Sequence, residues 1–362
     1  MIRYLSVCSG IEAATVAWCP LGWQAVAFAE VDAYPSAVLA HHYPHVPNYG
    51  DMTRFREWPD AALDLLVGGT PCQSFSVAGL RKGLDDPRGS LMLTYLAVAR
   101  RYRPRWVVWE NVPGVLSVDD GRAFGSLLGG LAELGYGFAY RVLDAQHFGV
   151  PQRRRRVFVV GCSRGWRHSA AVLFERESLS WVPPQVADDS VSDRAWWAGE
   201  ARVLNCIDAG YGRKWGSNQW YARGHVIVGS DGRPRRATVL EVERCFGFPD
   251  DYTAVPESAL REVRRRQAAG RVSSPATRAA GAPFVVQDVR ERSAEGIEAG
   301  ERAASCHVPA LGARLSRADI VADGPRYKAL GNSMAVPVIR WIGERIQMVD
   351  SLDSQDPAQE RG

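Results

Sequence analysis

Short β-prone apolar runs alternate with helix-like stretches between residues 4 and 161, and this alternation constrains the fold more than any other feature of the sequence. The apolar runs lie at 4–7, 25–29, 63–67, 106–109, 140–143 and 157–160. Apolar residues recur at helical spacing in 34–42, 91–101 and 121–134. Such alternation is typical of a mainly parallel sheet covered by helices. The sequence therefore predicts an open α/β sheet that binds ligands outside the carboxyl ends of its strands.

The character of the sequence changes after Gly161. Tryptophan, glycine, arginine and serine cluster as far as about residue 221, which predicts a smaller, turn-rich domain. Beyond residue 256 the chain is rich in Ala, Arg, Glu and Gly, and only 260–267 has helical periodicity. We predict a catalytic domain over 1–163, a second domain over 164–256, a partly disordered insertion over 257–320, a segment over 321–350 that returns to the first domain, and a tail over 351–362.

Composition narrows the class of protein. The 362 residues are 46% hydrophobic, which is enough for a buried core and argues against a disordered or fibrous chain. The 44 basic and 40 acidic side chains leave a formal charge of +4, which permits nucleic acid as a partner without requiring it. Because no apolar run approaches the roughly 18 residues of a membrane helix and the first residues lack a signal-peptide pattern, we expect a cytoplasmic protein with no membrane partner.

The cysteines favour the chemistry of one reduced thiol. There are seven of them and no Cys-x-x-Cys pair, so we expect neither a disulfide framework nor a metal site. Cys72 follows the apolar run 63–67 on a loop that contains Gly68, Gly69 and Pro71, at a strand end where a nucleophile is expected. A buried, unreactive residue is the alternative for a lone cysteine, but this glycine- and proline-containing loop is a poor core segment. We interpret the other six cysteines as structural.

Two further runs lead to candidate catalytic residues. Glu110 follows 106–109, where aromatic and valine neighbours are expected to raise the pKa of its carboxyl and allow it to donate a proton. A helix cap or a salt bridge is the alternative for Glu110. Residues 153–156 are four arginines that enter the run 157–160, and strand pleating places Arg154 and Arg156 on one face. Either this pair or Arg153 with Arg155 on the opposite face is a candidate for the site, with a solvated basic edge as the alternative.

The first run leads into a turn before a helix, a place where α/β sheets bind cofactors. Residues 8–12 read Cys-Ser-Gly-Ile-Glu and lack the G-x-G-x-x-G pattern, so they are a weak nucleotide signature. Glu30 lies about 20 positions downstream of the turn, a spacing that suits ribose hydroxyls. Asp51 follows in the next loop.

Three motifs on successive strand ends together resemble the DNA (cytosine-5)-methyltransferases. They are Pro71-Cys72-Gln73, Glu110-Asn111-Val112 and Gln152-x-Arg154-x-Arg156, in this order. The resemblance includes the turn at 9–11, Glu30, Asp51 and the sequences at 244–249 and 327–333, and it leaves out the Trp-rich region and the insertion. The turn and the ending at 331–337 are most similar to phage or prophage members of that family.

The resemblance implies a Rossmann-like class I methyltransferase sheet with a smaller target-recognition domain, and double-stranded DNA in the cleft between them. It implies methylation of cytosine C5 in a specific duplex sequence, with S-adenosylmethionine as methyl donor and no metal. The base is flipped out of the duplex, and Cys72 bonds to its C6. Glu110 is then expected at the N3 edge, Arg156 at the carbonyl O2 and Arg154 close by.

The same resemblance assigns a cofactor pocket. Glu30 is expected to hold the ribose hydroxyls, Asp51 and Met52 the adenine, and Pro71 and Leu91 the pocket walls. The implied cofactor residues are Ser9, Gly10, Ile11, Glu12, Glu30, Val31, Asp51, Met52, Pro71, Leu91, Asn332 and Ser333. The turn departs from the family at Cys8, where Phe is common, and at Glu12-Ala13, where Gly-Gly is usual.

Three alternatives compete with this interpretation. A tRNA cytosine-5 methyltransferase has the same motifs, but a Trp- and Arg-rich region over about 165–237 favours the reading of duplex DNA. A catalytically inactive DNA-binding protein has no need of an intact Cys72, Glu110 and Arg156. A cysteine hydrolase needs a histidine within reach of Cys72, and His147 is the candidate. We expect a monomer that acts with a cognate restriction endonuclease or with none.

Overall fold

The computed structural model describes residues 1–71, 91–175, 203–211, 226–228, 234–270 and 319–355. Cys72, about half of the predicted second domain, residues 271–318 of the predicted insertion and residues 356–362 of the tail lie outside the described residues. Among the helices within these ranges, none is long and apolar enough to cross a membrane.

Strands and helices alternate through the first half of the chain. The strands are β1 (Arg3–Val7), β2 (Gln24–Ala29), β3 (Leu65–Gly68), β4 (Trp106–Asn111), β5 (Gly137–Asp144), β6 (Arg155–Cys162), β7 (Val226–Val228) and β8 (Pro234–Arg236). The helices are α1 (Ala13–Trp18), α2 (Ala33–His42), α3 (Leu91–Tyr102), α4 (Arg122–Glu133), α5 (Trp166–Leu173), α6 (Val239–Phe246), α7 (Glu257–Ala268), α8 (Asp323–Asn332) and α9 (Val336–Gln355). All six predicted strands and the three predicted helices between them are present, so the α/β fold class is confirmed.

The main sheet has six strands in the order β2-β1-β3-β4-β6-β5. The first four run parallel, whereas β6 is antiparallel to both of its neighbours. The chain moves outward from β1 to β2 and then returns to β3 on the other side of β1, which is the switch point where such sheets bind ligands. Because β6 is antiparallel, its first residues lie at the same edge as the carboxyl ends of β1 to β4.

Both faces of the central strands β1, β3, β4 and β6 are buried, which explains why these strands contain continuous apolar runs. Tyr4 and Val108 point into one apolar cluster together with residues of α1, α6, α8 and α9. Leu66 and Trp109 point into a second cluster with residues of α3 and α4. The C-terminal helices are thus part of the core around β1, and Trp18 donates a hydrogen bond to the Ile339 carbonyl at 2.8 Å.

Helix α5 lies on the sheet layer, in a part of the chain where the sequence predicted turn-rich structure. It packs against β5, and the Ser169 hydroxyl donates to the Gly137 carbonyl at 2.8 Å. A Cβ at Gly137 would collide with the backbone of Gly165 and Trp166, so the glycine permits this close approach. Sheet-covering structure therefore continues to Leu173.

The predicted insertion leaves and re-enters the fold at one point. Pro256 and Ile320 form an isolated antiparallel bridge. The backbone N–H of Glu257 donates to Asp319 at 2.9 Å, and that of Val321 donates to Val255 at 3.1 Å. Helix α7 begins directly after the bridge and packs on α2.

Because the bridge between Pro256 and Ile320 holds the two ends of the predicted insertion together, we expect that deletion of 271–301 leaves the remaining structure intact. The melting temperature should change by less than about 3 °C, as measured by calorimetry. The methyl transfer implied by the resemblance should stay within about tenfold of the intact chain. Complete loss of transfer at an unchanged melting temperature would show that the deleted residues make a functional contact.

Candidate active site

The backbone that leads to Cys72 is held by two side chains of β4. Trp109 donates its indole N–H to the Thr70 hydroxyl at 2.9 Å, and the Asn111 amide donates to the Thr70 carbonyl at 2.8 Å. Thr70 is buried, while Pro71 is exposed at the surface. The chain is therefore anchored two residues before Cys72, at the carboxyl edge of the sheet.

Glu110 lies beside this anchored segment. A Cβ on Gly69 would lie 2.9 Å from Glu110 Oε2, so the missing side chain leaves room for the carboxyl group. Glu110 Oε1 is 3.1 Å from Arg156 Nε, and both side chains are only 12–13% exposed. Burial raises the pKa of Glu110, and the charges of Arg156 and Arg154 oppose that rise without cancelling it. Glu110 thus has both of the properties considered from the sequence, a salt bridge and a raised pKa.

Arg154 lies directly before β6 and Arg156 lies within it, and the two side chains contact different groups. Arg156 faces Glu110, whereas Arg154 is 2% exposed and donates to the carbonyls of Ile207 at 3.0 Å, Gly331 at 3.0 Å and Ser333 at 2.6 Å. Its guanidinium also lies over the Phe246 ring, 4.7 Å from the centroid. Burial and the charge of Arg156 lower the pKa of Arg154 to about 10, which leaves it protonated at neutral pH.

Cys206 is part of this cluster, although the sequence analysis treated it as structural. Its Sγ is 3.6 Å from Arg154 Nη1 and 3.8 Å from Arg156 Nη1. Gln152 holds this segment in place, because its amide accepts from the Ile207 N–H at 3.2 Å and donates to the Cys245 carbonyl at 3.0 Å. No sequence pattern marks Cys206, since its position depends on a short bridge between Gln152 and Leu204.

The turn after β1 is joined to the end of β2 by the Glu30 carboxylate. Glu30 accepts from the Gly10 N–H at 2.8 Å and from the Asp32 N–H at 2.7 Å. Asn48, which the sequence analysis did not single out, accepts from the Glu30 N–H at 2.9 Å and donates to its carbonyl at 3.1 Å. Burial raises the pKa of Glu30 despite these hydrogen bonds. Ser9 adds a further link, because its hydroxyl accepts from the Ala29 N–H at 3.1 Å.

The loop that contains Asp51 and Met52 lies next to the turn after β1. Asp51 accepts from the Thr53 backbone at 2.9 Å, and the Met52 sulfur is 3.4 Å from Cys8 Sγ. Burial and two neighbouring carboxylates raise the pKa of Cys8 to about 12, so this thiol is protonated and a poor nucleophile. Val31 is 61% exposed at the rim of the turn.

The family follows from comparison with known proteins. A family model described as C-5 cytosine-specific DNA methylase matches residues 2–195, more than half of the chain. The chain belongs to this family. The family predicted from the three motifs is therefore confirmed, and its methyltransferases use S-adenosylmethionine as methyl donor.

Individual relatives extend the match along the chain. A DNA N-6-adenine-methyltransferase of Escherichia phage P1 is 35% identical over 95% of this chain, which spans 61% of that phage protein. The type II methyltransferase M2.BsuMI of Bacillus subtilis is 30% identical over 73% of this chain and 69% of its own length. A phage protein is thus among the relatives, as the turn and the C-terminal ending predicted.

The fold is also that of solved methyltransferases. The crystal structure of S. pombe Dnmt2 methyltransferase matches with a TM-score of 0.53 at 15% identity, covering 98% of this chain and 100% of that one. At this identity the likeness concerns the fold alone, and it confirms the Rossmann-like methyltransferase sheet predicted from the sequence.

The structure brings the predicted family residues to one edge of the sheet in two adjacent groups. The turn at 9–12, Glu30, Val31, Asp51 and Met52 surround the ends of β1 and β2. Gly69, Glu110 and Arg156 surround the ends of β3 and β4. Leu91 begins α3 and is half-buried, and in the C-terminal motif Asn332 is exposed while Ser333 is buried. Within the described ranges, no group of three or more metal-ligating side chains occurs.

Because Arg154 is buried and donates to three carbonyls, we expect Arg154→Lys to destabilise the fold. An ammonium group cannot reach all three oxygens, so the free energy of unfolding should fall by about 2–3 kcal/mol. Urea denaturation measures this change, and the exposed neighbour Arg153 provides the matched control. Arg153→Lys should stay within about 0.5 kcal/mol of the wild type. Equal effects of the two substitutions would contradict the role given to Arg154.

Proposed function

We propose that the protein transfers a methyl group from S-adenosylmethionine to C5 of cytosine within a specific sequence of double-stranded DNA. The observation that carries this proposal is the buried Glu110–Arg156 pair, which lies against Gly69, three residues before Cys72. The match to the C-5 cytosine-specific DNA methylase family supports it, and the name of the Bacillus subtilis relative, a type II methyltransferase, supports methyl transfer. The protein acts as a monomer, either with a cognate restriction endonuclease or alone.

Cytosine C5 is a poor nucleophile, so the ring must be activated before it accepts a methyl group. In the proposed mechanism the Cys72 thiolate adds to C6 of a base flipped out of the duplex, at a cost of a few kcal/mol for unstacking. The addition moves negative charge toward N3 and O2 of the ring. Loss of the C5 proton after methylation restores the C5–C6 double bond and expels the thiolate.

Glu110 and Arg156 are suited to stabilise this charge. A carboxyl group whose pKa is raised by burial can hold a proton and donate it to N3, while the neighbouring guanidinium faces O2. Each well-placed donor to a developing negative charge contributes about 3–4 kcal/mol. Arg154 is a positioning residue in this proposal, because its guanidinium is engaged by the backbone of 207 and 331–333.

The residues at the switch point fit the methyl donor. The Glu30 carboxylate is held by the Gly10 and Asp32 N–H groups and suits ribose hydroxyls, while Asp51 and Met52 suit the adenine. Glu12 has a buried carboxylate oxygen without a hydrogen-bond partner, which fits a ligand of positive charge. When bound, the donor supplies an electrophilic methyl group. The remaining residues proposed for this pocket are Ser9, Ile11, Val31, Pro71, Leu91, Asn332 and Ser333.

Transfer to the N6 amine of adenine is a second candidate function. The name of the phage P1 relative favours it, since that protein matches 95% of this chain. An exocyclic amine attacks a methyl donor directly and needs no thiolate. The two candidates therefore differ in the methylated nucleoside formed and in their need for Cys72.

We expect the purified protein to transfer labelled methyl groups from S-adenosylmethionine to duplex DNA, and Cys72→Ala to abolish transfer while DNA binding is retained. Scintillation counting measures transfer, and chromatography of the digested DNA should identify 5-methylcytosine. Cys19→Ala is the control, because Cys19 lies on the short turn Cys19–Leu21 and is not part of the proposed site. A duplex with 5-fluorocytosine at the target should trap the wild type covalently, because fluorine cannot leave as a proton does.

Formation of N6-methyladenine alone, or full transfer by Cys72→Ala, would contradict the cytosine assignment. Absence of a trapped species from a duplex that binds the wild type would contradict the addition of Cys72 to C6.

Gly69→Ala should test the position of Glu110. The added methyl group must displace Oε2 and disturb the pairing with Arg156, so transfer should fall about 100-fold. Gly114→Ala is the matched control, since a Cβ there has no heavy atom within 4 Å. Transfer rates and melting temperatures should be measured for both variants. A Gly69→Ala variant with normal transfer would show that the Glu110 geometry is not critical.

A further inference from the structure

Glu12 occupies an unusual position in the turn between β1 and α1. Its backbone has φ = 65°, in the left-handed region that favours glycine. Its Oε1 accepts from the Thr15 N–H and the Thr15 hydroxyl, both at 3.2 Å, and so caps α1. The Tyr252 hydroxyl donates to the preceding Ile11 carbonyl at 2.8 Å, which holds the turn from the other side.

The second carboxylate oxygen of Glu12 is left without a partner. The residue is 1% exposed, and its buried Oε2 has no hydrogen bond from any residue in the described ranges. Among the residues that the structure describes, the titratable groups that face Glu12 are Glu30 at the end of β2, Tyr252 from the segment after α6, and Tyr4 of β1, which reaches it through Thr15. These neighbours are acidic or neutral and supply no positive charge, and unpaired buried carboxylates are strongly disfavoured.

The pKa of Glu12 reflects this environment. Burial raises it to about 7, and the negative charge of Glu30 adds to the rise, while the nearby Ser6 hydroxyl and the hydrogen bonds from Thr15 oppose it. Near neutral pH the empty protein therefore carries a proton on Glu12 in a large fraction of molecules. A cation placed at the turn would favour the ionised form and release that proton.

We propose that Glu12 supplies the negative charge by which this pocket prefers the cationic methyl donor to its neutral product, and that donor binding releases the Glu12 proton. This inference rests on the proposed function, since it concerns the same pocket. The donor is a sulfonium cation, whereas the product S-adenosylhomocysteine is a neutral thioether. A buried carboxylate therefore distinguishes the two by charge, and low local polarity strengthens the effect.

The proton balance of this step is simple. The proton leaves the Glu12 carboxyl for solvent, the sulfonium charge takes its place as counter-ion, and no covalent bond forms at Glu12. Above pH 7 the carboxyl is already ionised and the preference for the donor is fully developed. Below pH 7 the donor must displace the proton, and the preference declines.

Calorimetric titration of the full chain with S-adenosylmethionine and with S-adenosylhomocysteine tests the proposal without any turnover. At pH 7, paired measurements in phosphate and Tris buffers should give a release of about half a proton per donor bound, and less for the product. The ratio of the product Kd to the donor Kd should rise at least about fivefold between pH 6 and pH 8.5.

Glu12→Gln is the matched variant, because it keeps the shape of the side chain and the acceptor for Thr15 but has no charge. It should lose the excess proton release and show a Kd ratio that does not change with pH. Glu12→Gly, which suits the positive φ, should behave in the same way and covers the case in which the glutamine variant does not fold.

Proton release and a Kd ratio in Glu12→Gln equal to those of the wild type would overturn the proposal. If the wild type binds neither the donor nor the product, the proposed function itself fails. These two failures are distinguishable in the same set of titrations.

Discussion

The buried guanidinium of Arg154 is the contact on which the arrangement of the site depends. It joins β6 to Ile207 and to the C-terminal motif at Gly331 and Ser333, which are 177 and 179 positions away in the chain. A Cβ on Gly331 would collide with the backbone of Asp208 and Ala209. Position 331, next to the Arg154 guanidinium, therefore requires glycine. Because burial of a cation is costly unless its donors find acceptors, the contacts of Nη1 and Nη2 tie these three segments together.

This assembly brings two sets of acidic groups to one edge of the sheet. Glu12 and Glu30 lie at the ends of β1 and β2, and Glu110 lies at the end of β4. Burial raises the pKa of all three carboxyls, but their surroundings differ. Glu110 is paired with Arg156, Glu30 with backbone N–H groups, and Glu12 only partly with Thr15. We therefore propose that the same residue type donates a proton at one position and binds a hydroxyl or a cation at another.

Much of the fold could be predicted because the strands are buried on both faces and appear as continuous apolar runs. Candidate site residues could be predicted because they follow these runs directly. Strand alternation grouped Arg154 with Arg156, and both guanidinium groups lie near Cys206, but alternation does not distinguish their other partners. Cys206 and Asn48 were missed, since each is positioned by contacts outside any periodic element. Helix α5 was missed because it lies in a stretch rich in tryptophan and arginine, and its packing depends on Gly137.

The sequence by itself determined the α/β class, the order of the strands along the chain and the family, because these follow from local periodicity and from short motifs at strand ends. Only the tertiary structure decided that Arg156 faces Glu110 while Arg154 holds the C-terminal motif, and that one oxygen of Glu12 is buried without a partner. The physical reason is that burial, pairing and electric field at a side chain arise from segments far apart in sequence. Those contacts exist only once the sheet, the helices and the returning C-terminal motif have packed together.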